Sequence, residues 1–435
     1  MADLQPFRAI RYNASDVSAL IAPPYDVLDK AGKEGLLARS DRNVVAIDLP
    51  FLPPKTLGPA AVYEQAAATL QAWLADGTLT QDAKPALYAY SQTFDMRGRT
   101  FERRGLIGLV RLEAFSTPSA PTQIVPHEKT YPGPIEDRLH LMRATGAQLS
   151  PIFGLFPDED GSLTARLHDG LGAPAAQGTL DGVVNKLWPV TNEGVQGQVI
   201  GAMKTNKIYI ADGHHRYTTA LAYKHELEAK HGGPLPADHP ANFCLFVLVS
   251  MHDPGCVILP THRIVGGLKS FDIATLRTKL SGVFAVDDID GDENAMASFE
   301  DSLASDPYPA FGLFDGTSRR MYLLRLTKPD VLHAYEPNQS AAWRGLDVSI
   351  LRRYLLDEII GPTFAAGREM TLAYTADPTR VPLMTDGTNY QIALLLRPTP
   401  LEALRQLGDV GEVMPQKSTY FYPKVATGLT MNPLG

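Results

Sequence analysis

Asp212-Gly213-His214-His215-Arg216 places an acid, a glycine, two imidazoles and a guanidinium in consecutive positions. An apolar run, Ile208 to Ala211, leads into it, and a helical pattern leads away from Arg216. A turn between a strand and a helix aims backbone N–H groups and the positive end of a helix dipole at one spot. Gly213 lets a ligand come close to the backbone. His214, His215 and Arg216 add donors suited to phosphate oxygens. Asp212 could hold a metal ion or orient an imidazole. Neighbouring histidines point different ways, so the His-His pair alone says little about a metal.

Other segments carry weaker chemistry. Pro126-His127-Glu128-Lys129-Thr130 offers a carboxylate on a proline-bounded loop, where Glu128 could act as a general base or be a solvated turn charge. Leu259-Pro260-Thr261-His262-Arg263 follows an apolar strand, a usual place for ligand contacts, and makes Arg263 a candidate binding residue. His262 suits a structural hydrogen bond equally well. Pro415-Gln416-Lys417-Ser418-Thr419 has Gln416 where a phosphate-binding loop needs glycine, so Lys417 and Ser418 are candidate substrate ligands outside that motif. Tyr25 and Asp26, after a double proline, could line a site or cap an element. There is no His-Glu-x-x-His helix, no Gly-x-Ser-x-Gly elbow and no Gly-x-Gly-x-x-Gly fingerprint.

The elements that must position these residues are short and varied. Strands are predicted at Val44 to Leu49, Ala86 to Phe94, Leu106 to Leu112, Ile152 to Phe156, Val183 to Val190, Lys207 to Ala211, Phe243 to Met251 and Val257 to Leu259. Asp95 to Gly98 supplies a hairpin turn. Helices are predicted at Ala60 to Ala75, Ile135 to Thr145 and Arg216 to Lys230, with Pro126 to Pro134 an irregular loop and Pro157 to Gly182 a surface excursion. Past about residue 268 the pattern resets, with helices at Ile273 to Leu280, Leu346 to Ile359 and Leu401 to Leu407 and strands at Met321 to Leu326 and Tyr390 to Leu396. The expectation is an α+β chain of two domains, 1–267 carrying the motifs and 268–435 behind it, with the tail folding back to the site.

The chain has 435 residues, too many for one ordinary core. Its net charge of −8 and scattered Arg and Lys argue against a nucleic-acid partner. Cys244 and Cys256 are too few for a disulfide framework and read as reduced core thiols. The first residues show no basic region followed by an apolar run, and no stretch reaches the ~18 apolar residues of a membrane span, so a cytoplasmic protein with no membrane partner is expected.

Arg8-Ala9-Ile10-Arg11-Tyr12, Pro23-Pro24-Tyr25-Asp26-Val27, Pro126 to Thr130, Pro132-Gly133-Pro134 with Glu136-Asp137-Arg138, Asp212 to Arg216 and the Met-Pro-x-Lys-Ser-Thr tail together resemble the prokaryotic DUF1015 family, across nearly the whole chain. Pro-His-Glu followed by Asp-Gly-His-His-Arg is similar, more distantly, to the ParB and sulfiredoxin-like nucleotide-binding superfamily, in the form seen in free-serine kinases. That resemblance covers about residues 120 to 230. It implies a ParB-like core with insertions, Glu128 as base, and Asp212 to Arg216 as the phosphate turn, with His127 beside it. It further implies ATP or ADP as donor, Mg²⁺ held partly by Asp212, and a small hydroxyl acceptor such as L-serine. The motifs lie 84 residues apart, so an insertion across about Pro157 to Asn206 is expected. Other readings are a metal-assisted hydrolase using Asp212, His214 and His215, and a protein that binds nucleotide without turnover.

Overall fold

In the computed structural model, which describes residues 3–290 and 295–435, short apolar runs and amphipathic stretches build a mixed α+β protein. The chain forms two compact units. One comprises Met1–Val257 together with Pro423–Gly435, and the other comprises Ile258–Tyr422. No helix among the described residues is long and apolar enough to cross a membrane.

Among the described residues, the first unit is built on a nine-stranded mixed sheet. Its order runs Ile124–Val125, Ile208–Asp212, Ile152–Phe156, Phe243–Ser250, Arg99–Arg111, Leu87–Met96, Val183–Val190, Ala176–Leu180, with Leu4–Gln5 against Arg99–Arg111. Ile208–Asp212 runs parallel to Ile124–Val125 and antiparallel to Ile152–Phe156. Ile208, Ile210, Phe246, Leu248 and Tyr217 join one buried cluster, so the strand and the helix that follow one another at the motif share a core. Residues from Pro423 onward are stitched into this unit. Met431 exchanges backbone hydrogen bonds with Ile10, Thr427 does so with Ala22, and Leu434 donates to Gly146. Among the described residues of the second unit, a six-stranded sheet packs over Ile264, Phe299, Phe314 and Leu395.

Several local expectations change. Val44 to Leu49 is not a strand: Val45–Asp48 is a turn of helix, with the Asn43 side chain accepting from the Val45 N–H. Short buried apolar runs carry no period that separates helix from strand. The helix predicted from Ile135 begins at Pro132, because proline is tolerated in a first turn, where its missing N–H has no partner to lose. Pro157 to Gly182 is not a mere excursion. It holds the helix Ser162–His168, which buries Leu163 and Leu167, and the strand Ala176–Leu180. Val183–Val190 pairs along its length with Leu87–Met96, so the region between the two motifs is woven into the main sheet. Ala60–Ala75, Ile273–Leu280 and Met321–Leu326 form where their periodicity places them.

Candidate active site

The strand Ile208–Asp212 carries a bulge. Ile210 pairs with Gly154 and Asp212 with Phe153, leaving Ala211 as an extra residue. A bulge bends a strand end and re-aims the side chain that follows it. Gly213 then takes φ +98°, ψ 26°, and the helix His214–His231 begins at once, two residues before Arg216. Glycine is required here on two counts. The φ value is unfavourable for other residues, and a Cβ would stand 3.0 Å from Arg216 Nε and Nη2. The guanidinium therefore folds back over the Gly213 backbone.

Asp212 is the centre of the charge arrangement. Its Oδ2 accepts from Arg216 Nη2 at 2.7 Å, and its Oδ1 accepts from Lys424 Nζ at 3.0 Å. Arg216 also donates to the Pro151 carbonyl. Burial pushes the Asp212 carboxyl up, but Lys424, then Arg216, outweigh it and hold its pKa well below the usual carboxylate range.

The histidines lace the two motifs together. The His127 backbone N–H donates to His214 Nε2 at 3.1 Å, and the Tyr131 N–H donates to His215 Nε2 at 3.2 Å. His127 Nδ1 donates to the Ile210 carbonyl at 2.6 Å, and its ring meets the His214 ring edge-on at 4.6 Å. An Nε2 that accepts carries no proton, so His214 is a neutral ring protonated on Nδ1. Burial, then the neighbouring His127, lowers its pKa well below 6.5. Burial lowers that of His127 too. The loop between these anchors carries Glu128, which is half-buried.

Of the remaining sequence candidates, Tyr25 and Asp26 lie in the first unit, Asp26 paired with Lys55 at 3.4 Å, and Arg263, Lys417 and Ser418 lie in the second, where they meet one another. Arg263 is buried and donates to the backbone carbonyls of Gln416 and Lys417. The Ser418 hydroxyl donates to the Pro415 carbonyl, and the Ser418 carbonyl accepts from Thr399. Arg263 thus organises the turn on which Lys417 is exposed. His262 is buried against Glu300 at 3.0 Å.

Sequence reasoning missed Lys424. Its partner is 212 residues away, and the only local sign is Pro423 in front of it, which fixes the backbone. It also missed a buried network beside Arg216. Arg138 pairs with Asp137 at 2.7 Å and Asp48 at 3.7 Å and lies 4.1 Å from the centre of the Tyr25 ring. Asp48, Arg138, Ser150, Arg216, Thr219 and Cys244 help to line a small cavity of about 40 Å³. Among the described residues, no group of three or more His, Cys, Asp or Glu is placed to hold a metal ion.

A mixed α+β chain whose first unit carries a strand–turn–helix with Asp212 held between Arg216 and Lys424 is the class these features define. The chain belongs to the family described as protein of unknown function (DUF1015), whose model matches residues 4–349. No curated protein matches it. Among solved structures it is similar to a conserved hypothetical protein from Pyrococcus furiosus, at 15% identity and TM-score 0.31 over 70% of this chain and 89% of that one. A free serine kinase in complex with AMP matches at 14% identity and TM-score 0.31, over 71% and 89%. C-terminally truncated SbnI from Staphylococcus aureus matches at 13% identity and TM-score 0.35, over 75% and 87%. Likeness at this level settles neither the details of the fold nor an activity.

Proposed function

We propose that this chain is a small-molecule phosphotransferase, moving a phosphoryl group from ATP or ADP to a hydroxyl compound. The observation that supports this most is the lacing of the Glu128 loop to the Asp212–Arg216 turn by the His214 and His215 acceptors. It sets a carboxylate-bearing loop against a turn bearing Arg216, with Lys424 of the tail beside it. Phosphoryl transfer is mostly positioning and charge stabilisation. Arg216, with the first N–H groups of the helix His214–His231, holds the transferred group and spreads its charge. Glu128 takes the proton of the acceptor hydroxyl as the new O–P bond forms and the shortened nucleotide leaves. His214 and His215 are positioning groups in this scheme, since each spends its lone pair on a backbone N–H of the loop. L-serine is the acceptor that the motif resemblance implies.

Both Asp212 oxygens face cations, so this carboxylate is no ready seat for Mg²⁺. A magnesium ion would enter with the nucleotide phosphates. The hydrolase reading is disfavoured by the same geometry, because the Nε2 atoms of both turn histidines are taken.

The test is turnover of ATP and ADP against a panel of hydroxyl compounds including L-serine. Glu128→Gln keeps the shape and removes the base, so kcat should fall by roughly 10²–10⁴ with nucleotide affinity within a few-fold. Arg216→Ala should instead weaken nucleotide binding by about 1.5–3 kcal/mol. Near-normal turnover in Glu128→Gln would sink the assignment. Binding without turnover on any acceptor would favour a nucleotide sensor.

A further inference from the structure

We infer that Tyr131 is the nucleobase platform of the site, the flat ring against which the base of the phosphate donor stacks. This rests on the phosphotransferase reading above, and adds to it a residue that tells a nucleotide from bare phosphate.

Tyr131 stands out by its exposure. The rings of His127 and His214 are buried and that of His215 is half-buried, whereas Tyr131 is 45% exposed. An aromatic side chain left so far in water forgoes much of the burial that rings of this size usually gain. Its backbone is nevertheless held. The Tyr131 N–H donates to His215 Nε2 at 3.2 Å, and Pro132 follows directly, opening the helix Pro132–Thr145 and restricting the residue before it. The His215 ring lies on one side of the tyrosine ring, 6.4 Å away between centres and 30° from parallel. A ring that is fixed at its root and open to water is ready to receive a second flat group.

The place of the ring fits that use. The loop 127–131 is laced to the turn at both ends, His127 to His214 and Tyr131 to His215. Glu128 follows the first anchor, Tyr131 is the second, and Arg216 comes directly after His215. An acid, a flat ring and a guanidinium therefore share one loop and the turn it is tied to. These are the groups that an acceptor hydroxyl, a nucleobase and a phosphate would each need. The contact with the base would be stacking in the main. The Tyr131 N–H is already spent on His215, and Pro132 has none to give to a base edge. Every nucleobase offers a π face, and one stack on an aromatic side chain contributes about 1–3 kcal/mol.

The experiment is calorimetric titration of ADP, ATP and pyrophosphate into the full chain and into Tyr131→Ala, Tyr131→Phe and Tyr131→Trp. Tyr131→Ala should bind both nucleotides about five- to a hundredfold more weakly, the loss of one stack, and pyrophosphate as the parent does. Tyr131→Phe should keep the parent's nucleotide affinity, since the ring remains. Tyr131→Trp should add a fluorescence component that ADP quenches and that the parent lacks. Nucleotide binding by Tyr131→Ala at the parent's strength overturns the inference. So does an equal loss of nucleotide and pyrophosphate, which would make Tyr131 a brace for the loop. If pyrophosphate binds too weakly to titrate, or Tyr131→Ala fails to fold, the Tyr131→Trp signal decides, and its absence counts against the platform. A parent chain that binds neither nucleotide would overturn the phosphotransferase reading itself, and this inference with it.

Discussion

Two buried charge clusters share the first unit and are built in opposite proportions. At the turn, one carboxylate, Asp212, serves two cations, Arg216 and Lys424. At the helix Pro132–Thr145, two carboxylates, Asp137 and Asp48, serve one cation, Arg138. The second cluster is closed. Arg138 is 6% exposed and is bonded to Asp137 and the Asp48 carbonyl, while Tyr63 and Ser150 donate to the two carboxylates. Burial pushes the Asp48 carboxyl above the usual range in spite of Arg138. The two clusters are electrostatically joined, because Arg216 also acts on the Asp48 carboxyl. Equally buried charges are thus held in two ways, by two carboxylates around one cation and by two cations around one carboxylate.

That contrast can be broken by mutation. Arg138→Ala leaves two buried carboxylates uncompensated and should cost about 3–5 kcal/mol in chemical denaturation. Arg216→Ala should cost less than this, because Lys424 still covers Asp212, and should show mainly in nucleotide affinity. Equal stability losses for the two variants would erase the distinction.

Acid should act next. His127 and His214 are held neutral in the fold, so below about pH 6.5 the unfolded chain binds more protons than the folded one. Their contribution is complete above that pH and is lost as pH falls, by up to about 2 kcal/mol per histidine on reaching about pH 5. Protonation of His214 in the folded chain, which would remove the acceptor for the His127 N–H, should come only at a pH well below 6.5. Denaturation midpoints followed from pH 8 to about pH 5 check this, and a flat profile would contradict it.

The smallest effect sharpens the picture. Gly213→Ala forces a side chain onto a φ of +98° and against Arg216, and should cost about 1–2 kcal/mol of stability. Its loss of nucleotide affinity should be the larger part, since the displaced group is the guanidinium. An unchanged affinity would show that Arg216 does not need its place over the glycine.

The turn was legible in the sequence because its chemistry is contiguous, from Asp212 to Arg216, and follows an unmistakable apolar strand. Its helix start was misplaced by two residues. Gly213, with no side-chain cap, begins the helix at a positive φ, where the usual signal is a capping oxygen. The mixed α+β class was readable from alternating patterns, whereas Val45–Asp48 was not, because four residues are too few to show a period. Lys424 was hidden for a different reason. Its meaning depends on a contact 212 residues away, and nothing near it in sequence encodes that partner. Arg263, Lys417 and Ser418 attracted notice by residue type, and burial and backbone bonding then gave Arg263 and Ser418 an architectural use in the second unit.

The first unit is discontinuous, leaving off at Val257 and resuming at Pro423. On a ribosome, which releases the amino end first, the strand–turn–helix would emerge long before its lysine. A nascent chain would form the Asp212–Arg216 pair early but would gain Lys424 only after the whole second unit had been made. Closing so long a loop is cheap, as each doubling of its length adds only about 0.6 kcal/mol. The delay is therefore one of timing rather than of stability: truncated products would fold much of the sheet and still lack the full set of charges at the turn.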